Sequence, residues 1–291
     1  MNKHKELIEA IQAKIYNPET KTEQIDFDYI ESLLYSDPSL VNQEYNGYLP
    51  LIEAMNIRNL KLIQLLLSYG ADPNVPTINN KNEIIAYPLI EAIELYKTNS
   101  LVRLLLQHGA NPSVRTHRGT TPLHYAVIYS SLEDITLLLI HGADPNATDK
   151  NGHTPLFGLH NRKGDNVKCL RLLLSYGANP NVVDTSGSKM LGLWRGNENT
   201  NALDVIRILV QHGFEIDAPV SSNIETLFHE VVKYNKYRPE SSRLLINLLI
   251  ELNADPNLHN KYNETPLDIA MKYKMKKLAS RIMNYSISRR I

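Results

Sequence analysis

The single cysteine of the chain, Cys169, is the first candidate for a catalytic nucleophile. It lies in the segment VKCLRL, at a position where the surrounding helical pattern requires an aliphatic core residue. Free cysteines are commonly buried and inert, whereas a reactive thiol needs an exposed and electropositive surrounding. The pattern therefore predicts that Cys169 fills the core. A lone cysteine also rules out an intramolecular disulfide and suits a reducing compartment.

Histidines are the next candidates for chemistry, and three of them recur in phase. His108, His141 and His212 each stand directly before a glycine that follows a leucine-rich segment. A residue type repeated in phase indicates a structural role, here the stabilisation of a helix end. His153 and His160 have no cysteine or carboxylate at ligand spacing, so we expect neither a metal site nor a cofactor.

One further stretch, residues 187–201, holds a remote alternative, an enzyme site. Its titratable side chains belong to Lys189, Arg195 and Glu198. Its glycines do not follow a strand, so the spacing predicts no phosphate-binding loop: Gly187, Gly192 and Gly196. The aspartates and glutamates elsewhere are mostly expected to be solvated charges. No catalytic constellation emerges, and we expect a protein that is not an enzyme.

Composition narrows the classes of partner. The chain of 291 residues has 31 Lys plus Arg and 31 Asp plus Glu, so no net field attracts nucleic acid or a membrane surface. No apolar run approaches the ~20 residues that a membrane span needs. The first 16 residues lack the apolar stretch of a signal peptide and predict an amphipathic helix.

The organisation that must position any site is repetitive. Six leucine-rich segments each run into a glycine, or a stand-in, and then into a short polar segment. Four of these junctions follow the pattern Gly-Ala-Asp/Asn-Pro-Asn/Ser and two are degenerate; they begin at Gly70, Gly109, Gly142, Gly177, Gly213 and Asn253. The six positions lie 33 to 40 residues apart. Such a period is typical of a solenoid, which favours a binding surface over an enzyme pocket.

The clearest unit covers residues 116–147. Thr121 can cap a helix, and Pro122 fits the first helical position because the missing N–H costs nothing there. A second amphipathic helix is predicted over residues 132–141, and Gly142 stands where a left-handed residue ends it. One such helix pair cannot bury both of its faces, so it must stack on its neighbours.

The sequence TPLHYA at 121–126, followed by HGADPN at 141–146, resembles the signature of the ankyrin repeat. Related starts occur at residues 49–54, 87–92, 154–157 and 265–270, with a weaker one at 226–229. The resemblance implies an all-α fold, an ankyrin-repeat solenoid of helix–turn–helix units joined by β-hairpin-like fingers, with about seven to eight units including degenerate caps. We expect a single array over residues 1–291, with caps at 1–43 and 261–291 and central repeats at 44–260.

The two ends depart from the pattern. Helices are predicted at residues 5–16 and 25–35, and a last helix at 272–285. The last helix is expected to be a solvated cap that packs Leu278 and Ile282 inward. The alternative is a basic docking surface for nucleic acid or acidic lipid, formed by Lys272, Lys274, Lys276, Lys277, Arg281, Arg289 and Arg290.

Three central stretches are irregular. The finger at residues 75–86 is lengthened and carries the apolar pair Ile84–Ile85, which favours a functional role. The helix–helix turn at residues 233–242 is enlarged. The insertion either has a function or is simply tolerated by the fold. In the sixth unit Trp194 takes a slot that alanine fills elsewhere, so it is either an interface anchor or buried in a local distortion.

The resemblance implies that partner contacts come from the finger tips and from the end of each first helix. Carried onto this sequence, these places give Tyr45, Asn46, Tyr48, Ile84, Ile85, His117, Arg118, Tyr129, Lys150, Asn151, His153, Arg162, Trp194, Arg195, Lys233, Tyr234, Tyr262, Lys272 and Tyr273. Tyrosine, tryptophan and arginine often supply binding hot spots. From His117 to Lys233 these positions carry an excess of basic side chains, which predicts a partner with an acidic patch.

The function that follows is a non-enzymatic module that binds a protein partner through a concave groove. We expect a cytoplasmic monomer without a small-molecule substrate, and nucleic acid is not expected. The resemblance extends to ankyrin-repeat effectors of intracellular bacteria or large DNA viruses, which implies delivery into a eukaryotic host cytosol. The alternative is a structural or regulatory adaptor for a partner in the same cell.

Overall fold

The computed structural model describes residues 2–13, 15–17, 22–78, 84–96, 99–162, 165–190, 202–234, 237 and 239–289. The chain divides into two units, Met1–Asp144 and Pro145–Ile291. Each consists of paired antiparallel helices connected by short fingers, with two small hairpins in the first unit. The all-α helix-pair architecture predicted from the repeats is confirmed.

The first unit contains eight helices and four strands in its described part. They are α1 (Lys3–Gln12), β1 (Ile15–Asn17), β2 (Thr22–Gln24), α2 (Phe27–Ser36), a 3-10 turn (Pro38–Asn42), α3 (Pro50–Asn56), α4 (Leu60–Ser68), β3 (Thr77–Ile78), β4 (Ile84–Ala86), α5 (Pro88–Glu91) continued by a π-helical turn (Ala92–Tyr96), α6 (Asn99–Gln107), α7 (Pro122–Tyr129) and α8 (Leu132–Ile140). Both hairpins are antiparallel, and the second has an irregular register beside Ile78.

The second unit is described as a 3-10 helix followed by six α-helices. They are the 3-10 helix (Pro155–Asn161), α9 (Asn166–Ser175), α10 (Ala202–Gln211), α11 (Leu227–Tyr234), α12 (Pro239–Glu251), α13 (Pro266–Lys272) and α14 (Lys276–Ser288). The predicted first helix at residue 154 is therefore a 3-10 helix. Gly158 lies in its middle and weakens the α-helical alternative.

Local sequence explains where the helices begin and end. Thr265 caps α13 through reciprocal hydrogen bonds with Asp268, whose backbone N–H lies 3.2 Å from the threonine Oγ1. Each leucine-rich helix buries one face, as in α8, where Ile135 and Leu138 are fully buried. All six repeat junctions adopt the left-handed conformation, including the stand-in Asn253 with a φ of 59°. The predicted glycine-type helix ends are confirmed.

Asparagine side chains connect successive fingers within each unit. Four of them form equivalent bridges of two hydrogen bonds: Asn42, Asn74, Asn146 and Asn181. In each, Nδ2 donates to the carbonyl of the next junction glycine, over 2.7–3.1 Å. The same side chain's Oδ1 accepts from a backbone N–H two residues beyond that glycine, over 2.7–3.0 Å. We call these four bridges the asparagine ladder; each satisfies backbone groups that the fingers leave unpaired.

The two helices predicted near the N-terminus are present, but their boundaries are shifted. The helix expected at residues 5–16 begins at Lys3, capped by Asn2, and ends at Gln12, because Ile15–Asn17 pairs as a strand with Thr22–Gln24. Pro18 disfavours helix at the residue before it. The helix expected at 25–35 begins at Phe27, since the Asp26 carboxylate accepts the Tyr29 N–H over 2.9 Å.

The helix expected at residues 272–285 is also interrupted. Lys272 is the last residue of α13, and Lys274, with a φ of 57°, separates it from α14. The inward packing of α14 is confirmed, because Ile282 is fully buried and Leu278 is half-buried. Of the basic residues proposed as a docking surface, Arg290 lies outside the described residues.

Candidate functional site

The first predicted contact cluster lies on the finger before α3. Tyr45 and Tyr48 exchange both backbone hydrogen bonds over 3.0 Å across a two-residue turn. Asn46 and Gly47 form that turn with φ values of 53° and 84°, the combination that a type I′ hairpin requires. Tyr48 is 47% exposed, so the turn presents an aromatic side chain on a fixed backbone.

The long finger of the first unit is a hairpin that contacts the next finger. The carbonyl of Ile84 accepts the backbone N–H of His117 over 2.8 Å, and Nδ1 of the same histidine lies 3.1 Å away. Ile85 points outward and is 40% exposed, while Arg118 on the adjacent tip is also exposed. Tyr129 is 54% exposed at the end of α7. His117 therefore connects two fingers. The exposed residues beside it are Ile85 and Arg118.

In the second unit His153 lies between two carboxylates. Its Nδ1 is 3.7 Å from Asp149, its Nε2 is 3.4 Å from Asp184, and its ring stacks on Phe157 with centroids 4.8 Å apart. The expectation that no carboxylate lies within reach of His153 is wrong, because one of the two comes from the following finger. Even so, the described residues contain no group of three His, Cys, Asp or Glu side chains that could hold a metal ion. Lys150 and Asn151 at the tip are exposed.

Arg162 is the predicted contact residue that the structure removes from the surface. It follows the 3-10 helix and is only 7% exposed. Trp194 and Arg195, with the rest of residues 191–201, lie outside the described residues.

A buried lysine precedes that stretch. Lys189 takes the position that capping threonine holds in other units, and it is 3% exposed. Its Nζ lies 3.2 Å from Oδ1 of Asn181 and 3.7 Å from the Glu215 carboxylate, and 5.2 Å from the ring centre of Phe214. Burial lowers the pKa of Lys189, against the opposing effect of Glu215. The Lys189 side chain therefore lies inside the finger and is not exposed to solvent.

Another buried ionic group lies under the last two fingers. Glu225 is 1% exposed and pairs with Lys233, and the Asn260 side chain donates to its carboxylate over 3.3 Å. Burial is the largest single effect on Glu225 and alone would raise its pKa, but the hydrogen bonds with Lys233, Glu230 and Asn260 and the charge of Lys233 together lower the pKa. The expectation that carboxylates are mostly solvated fails here. Lys233, predicted as a partner contact, is the counter-ion of a buried glutamate.

Among the last predicted contacts, the cation is paired within the chain, whereas the tyrosines are at least partly exposed. Lys272 is paired with Glu264 over 2.7 Å on the surface. Tyr262 and Tyr273 are 61% and 42% exposed, and Tyr234 is half-buried. The described tyrosines of the predicted set thus remain at least partly exposed, whereas two of its cations, Lys233 and Lys272, are already engaged within the chain.

Sequence reasoning missed Ile224 at the tip of the finger before α11. It occupies the position two residues before the capping residue, with a φ of 58°, and it is 52% exposed. The signal was available, because the equivalent position of the other described tips with this turn holds glycine or asparagine: Gly47, Gly119, Gly152, Gly187 and Asn263.

Two of the three repeated histidines have the structural role that was predicted. Nδ1 of His141 and of His212 lies 2.8 Å from the carbonyl four residues earlier, at the end of each helix. His229 in α11 is different, being fully buried, with Nδ1 2.9 Å from the Thr226 hydroxyl and Nε2 3.0 Å from the Glu264 carbonyl. Burial lowers the pKa of His229, although the carbonyl of Glu264 opposes the shift.

A pH dependence of stability follows from His229 and Glu225. Both have lowered pKa values in the folded chain, so the unfolded chain takes up protons first as the pH falls. We expect the free energy of unfolding to decrease below the ordinary histidine pKa of 6.5 and to decrease further below the ordinary glutamate value of 4.5. Urea titrations over this pH range measure it. His229→Asn should flatten the upper part of the profile, and an unchanged slope there would contradict the assignment.

Burial also makes the thiol of Cys169 chemically inert. It is fully buried, and burial raises its pKa to about 11. The predicted core role is confirmed. We expect no alkylation by iodoacetamide in the native protein at neutral pH and complete alkylation in urea, because the thiolate is scarce and inaccessible. Mass spectrometry of the intact chain reads the outcome, and rapid labelling without denaturant would show that the site opens.

Comparison with known proteins identifies the family. The model for ankyrin repeats in three copies matches residues 77–149 and 130–220, and the model for a single ankyrin repeat matches residues 46–78. The chain belongs to the ankyrin-repeat family.

Among solved structures, the ankyrin repeat domain of Bcl-3, a unique member of the IkappaB protein family, is similar to this chain. Its TM-score is 0.62 at 27% identity, over 77% of this chain and 95% of that one. None of the curated proteins matches the sequence. Ankyrin repeats generally mediate protein–protein interaction, and their family is typically non-enzymatic. In the described part of the chain, every helix is too short or too polar to cross a membrane.

Proposed function

We propose that this chain binds a protein partner through its finger tips and first-helix ends, without catalysis of its own. The observation that carries the proposal is the exposure of aromatic side chains at these places: Tyr48, Tyr129, Tyr262 and Tyr273. Tyrosine buries a large area at low cost in rotamer freedom, which suits it to an interface. Repeated units with a stable core provide the rigid support that such contacts need.

The proposal includes an acidic patch on the partner. Arg118 in the first unit and Lys150 in the second are exposed tip residues, and neither takes part in an ion pair among the described residues. Opposite charge on a partner would speed encounter and fix orientation. The engagement of Lys233 and Lys272 within the chain limits this field to fewer cations than the sequence suggests.

We further propose that the partner is a protein of a eukaryotic host and that the chain acts in its cytosol as a monomer. The support is compositional, since asparagine, lysine, isoleucine and tyrosine are abundant, as in AT-rich genomes. An adaptor for a partner in the source cell is the competing function.

Affinity capture with quantitative mass spectrometry tests the proposal. The bait is the full chain, in comparison with the variant Tyr48→Ala, Tyr129→Ala, Tyr262→Ala, Tyr273→Ala. A matched control replaces tyrosines that are exposed outside these places, Tyr35 and Tyr176, by alanine. We expect a stoichiometric partner that the control retains and the quadruple variant loses. Absence of any specific partner from eukaryotic and source-cell lysates alike would overturn protein binding, whereas a partner found only in source-cell lysate would favour the adaptor.

A further inference from the structure

Ile224 adopts a backbone conformation that its residue type disfavours. Its φ of 58° lies in the left-handed region, where a β-branched side chain is a genuine outlier. Half of its side chain is exposed, so burial in the core does not compensate for the strain. Strained residues of this kind tend to occur at functional sites.

The tip that carries Ile224 is joined to the next one. The carbonyl of Asn223 accepts the backbone N–H of Lys261 over 2.9 Å. Tyr262 follows immediately and is 61% exposed, and Nζ of Lys261 lies 5.1 Å from the centre of its ring. Ile224, Lys261 and Tyr262 therefore lie on two joined tips, and we call these three exposed residues the tip patch.

The charge of the tip patch is positive. The neighbouring carboxylates are already neutralised, Glu225 by Lys233 in the interior and Glu264 by Lys272 on the surface. Within the described residues, the exposed ammonium of Lys261 contacts the Tyr262 ring. An occupant with a carboxylate next to a bulky apolar side chain would complement both features of the patch.

We propose that the tip patch binds a peptide segment of a partner protein in which a bulky apolar residue stands beside Asp or Glu. The inference rests on the proposed function and specifies one site for it. The apolar residue packs against Ile224 and Tyr262, and the carboxylate pairs with Lys261. The backbone strain holds Ile224 outward at a cost that Gly or Asn at this position would avoid.

Selection of phage-displayed random peptides on the full-length chain tests this directly. We expect the enriched peptides to share an acidic residue beside an aromatic or large aliphatic one. Ile224→Asn and Lys261→Glu should each weaken the binding of the best peptide by about tenfold or more. Ile224→Asn should at the same time raise the melting temperature by roughly 2–4 °C, because Asn tolerates the left-handed conformation.

A matched control is Ile140→Asn, which removes an isoleucine of similar exposure (58%) at the end of α8. It should leave peptide affinity unchanged. The proposal is overturned if no peptide is enriched, if the enriched peptides lack an acidic residue, if Ile224→Asn binds them as tightly as the native chain, or if that variant melts at a lower temperature. A protein captured equally by the native chain and Ile224→Asn would leave the proposed function standing and remove the tip patch from it.

Discussion

Replacement of Lys233 by methionine is expected to lower the free energy of unfolding by about 3 kcal/mol. The substitution leaves the Glu225 carboxylate, which is 1% exposed, without its cation, although the Asn260 amide still donates a hydrogen bond to it. Removing one member of a buried pair costs more than the pair contributes, because the remaining charge stays desolvated. Chemical denaturation of the native chain and the variant at neutral pH measures the loss.

Two controls separate the buried charge from lost packing. Glu225→Gln combined with Lys233→Met should recover most of the stability, since no buried charge is left. Lys272→Met removes the surface pair with Glu264 and should leave the free energy of unfolding nearly unchanged. Equal losses for Lys233→Met and Lys272→Met would contradict the burial argument. Because Lys233 variants are expected to be destabilised, a loss of partner binding by such a variant would not distinguish a lost contact from unfolding. Lys233 is therefore a poor choice for mapping contacts.

Removal of one bridge of the asparagine ladder should have the next largest effect. Asn146→Ala loses the hydrogen bonds to the Gly177 carbonyl at 2.8 Å and from the Asn179 N–H at 2.7 Å. At roughly 1 kcal/mol for each bond, the cost is about 2 kcal/mol. We expect the melting temperature to fall by about 5 °C.

Asn151→Ala provides the comparison for that prediction. Asn151 is exposed at a finger tip, and none of the described hydrogen bonds involves its side chain. Its replacement should change stability by no more than about 0.5 kcal/mol. Similar melting temperatures for Asn146→Ala and Asn151→Ala would show that water replaces the bridge without cost.

The features that sequence predicted are those that depend on neighbours within one repeat. The left-handed helix ends at Gly142 and Asn253 follow from a local backbone requirement, so their positions could be read directly. The core position of Cys169 follows from helical spacing alone.

The features that sequence missed depend on residues from another repeat or from an atypical segment. Asp184 reaches His153 from the next finger, and Asn260 reaches Glu225 across 35 residues. Spacing within one unit carries no information on such pairs. Arg162 is buried because the segment before it forms a 3-10 helix, which helical periodicity does not distinguish from an α-helix.

The span of the asparagine ladder has a consequence for the growing chain on the ribosome. Each of the four bridges joins an asparagine to a glycine carbonyl only 28 to 35 residues later. A newly made finger can therefore form its asparagine bridge as soon as one further repeat has emerged, long before synthesis is complete. Contacts of such short sequence separation favour rapid folding. Within each unit, structure can accumulate from the N-terminal side at the pace of translation.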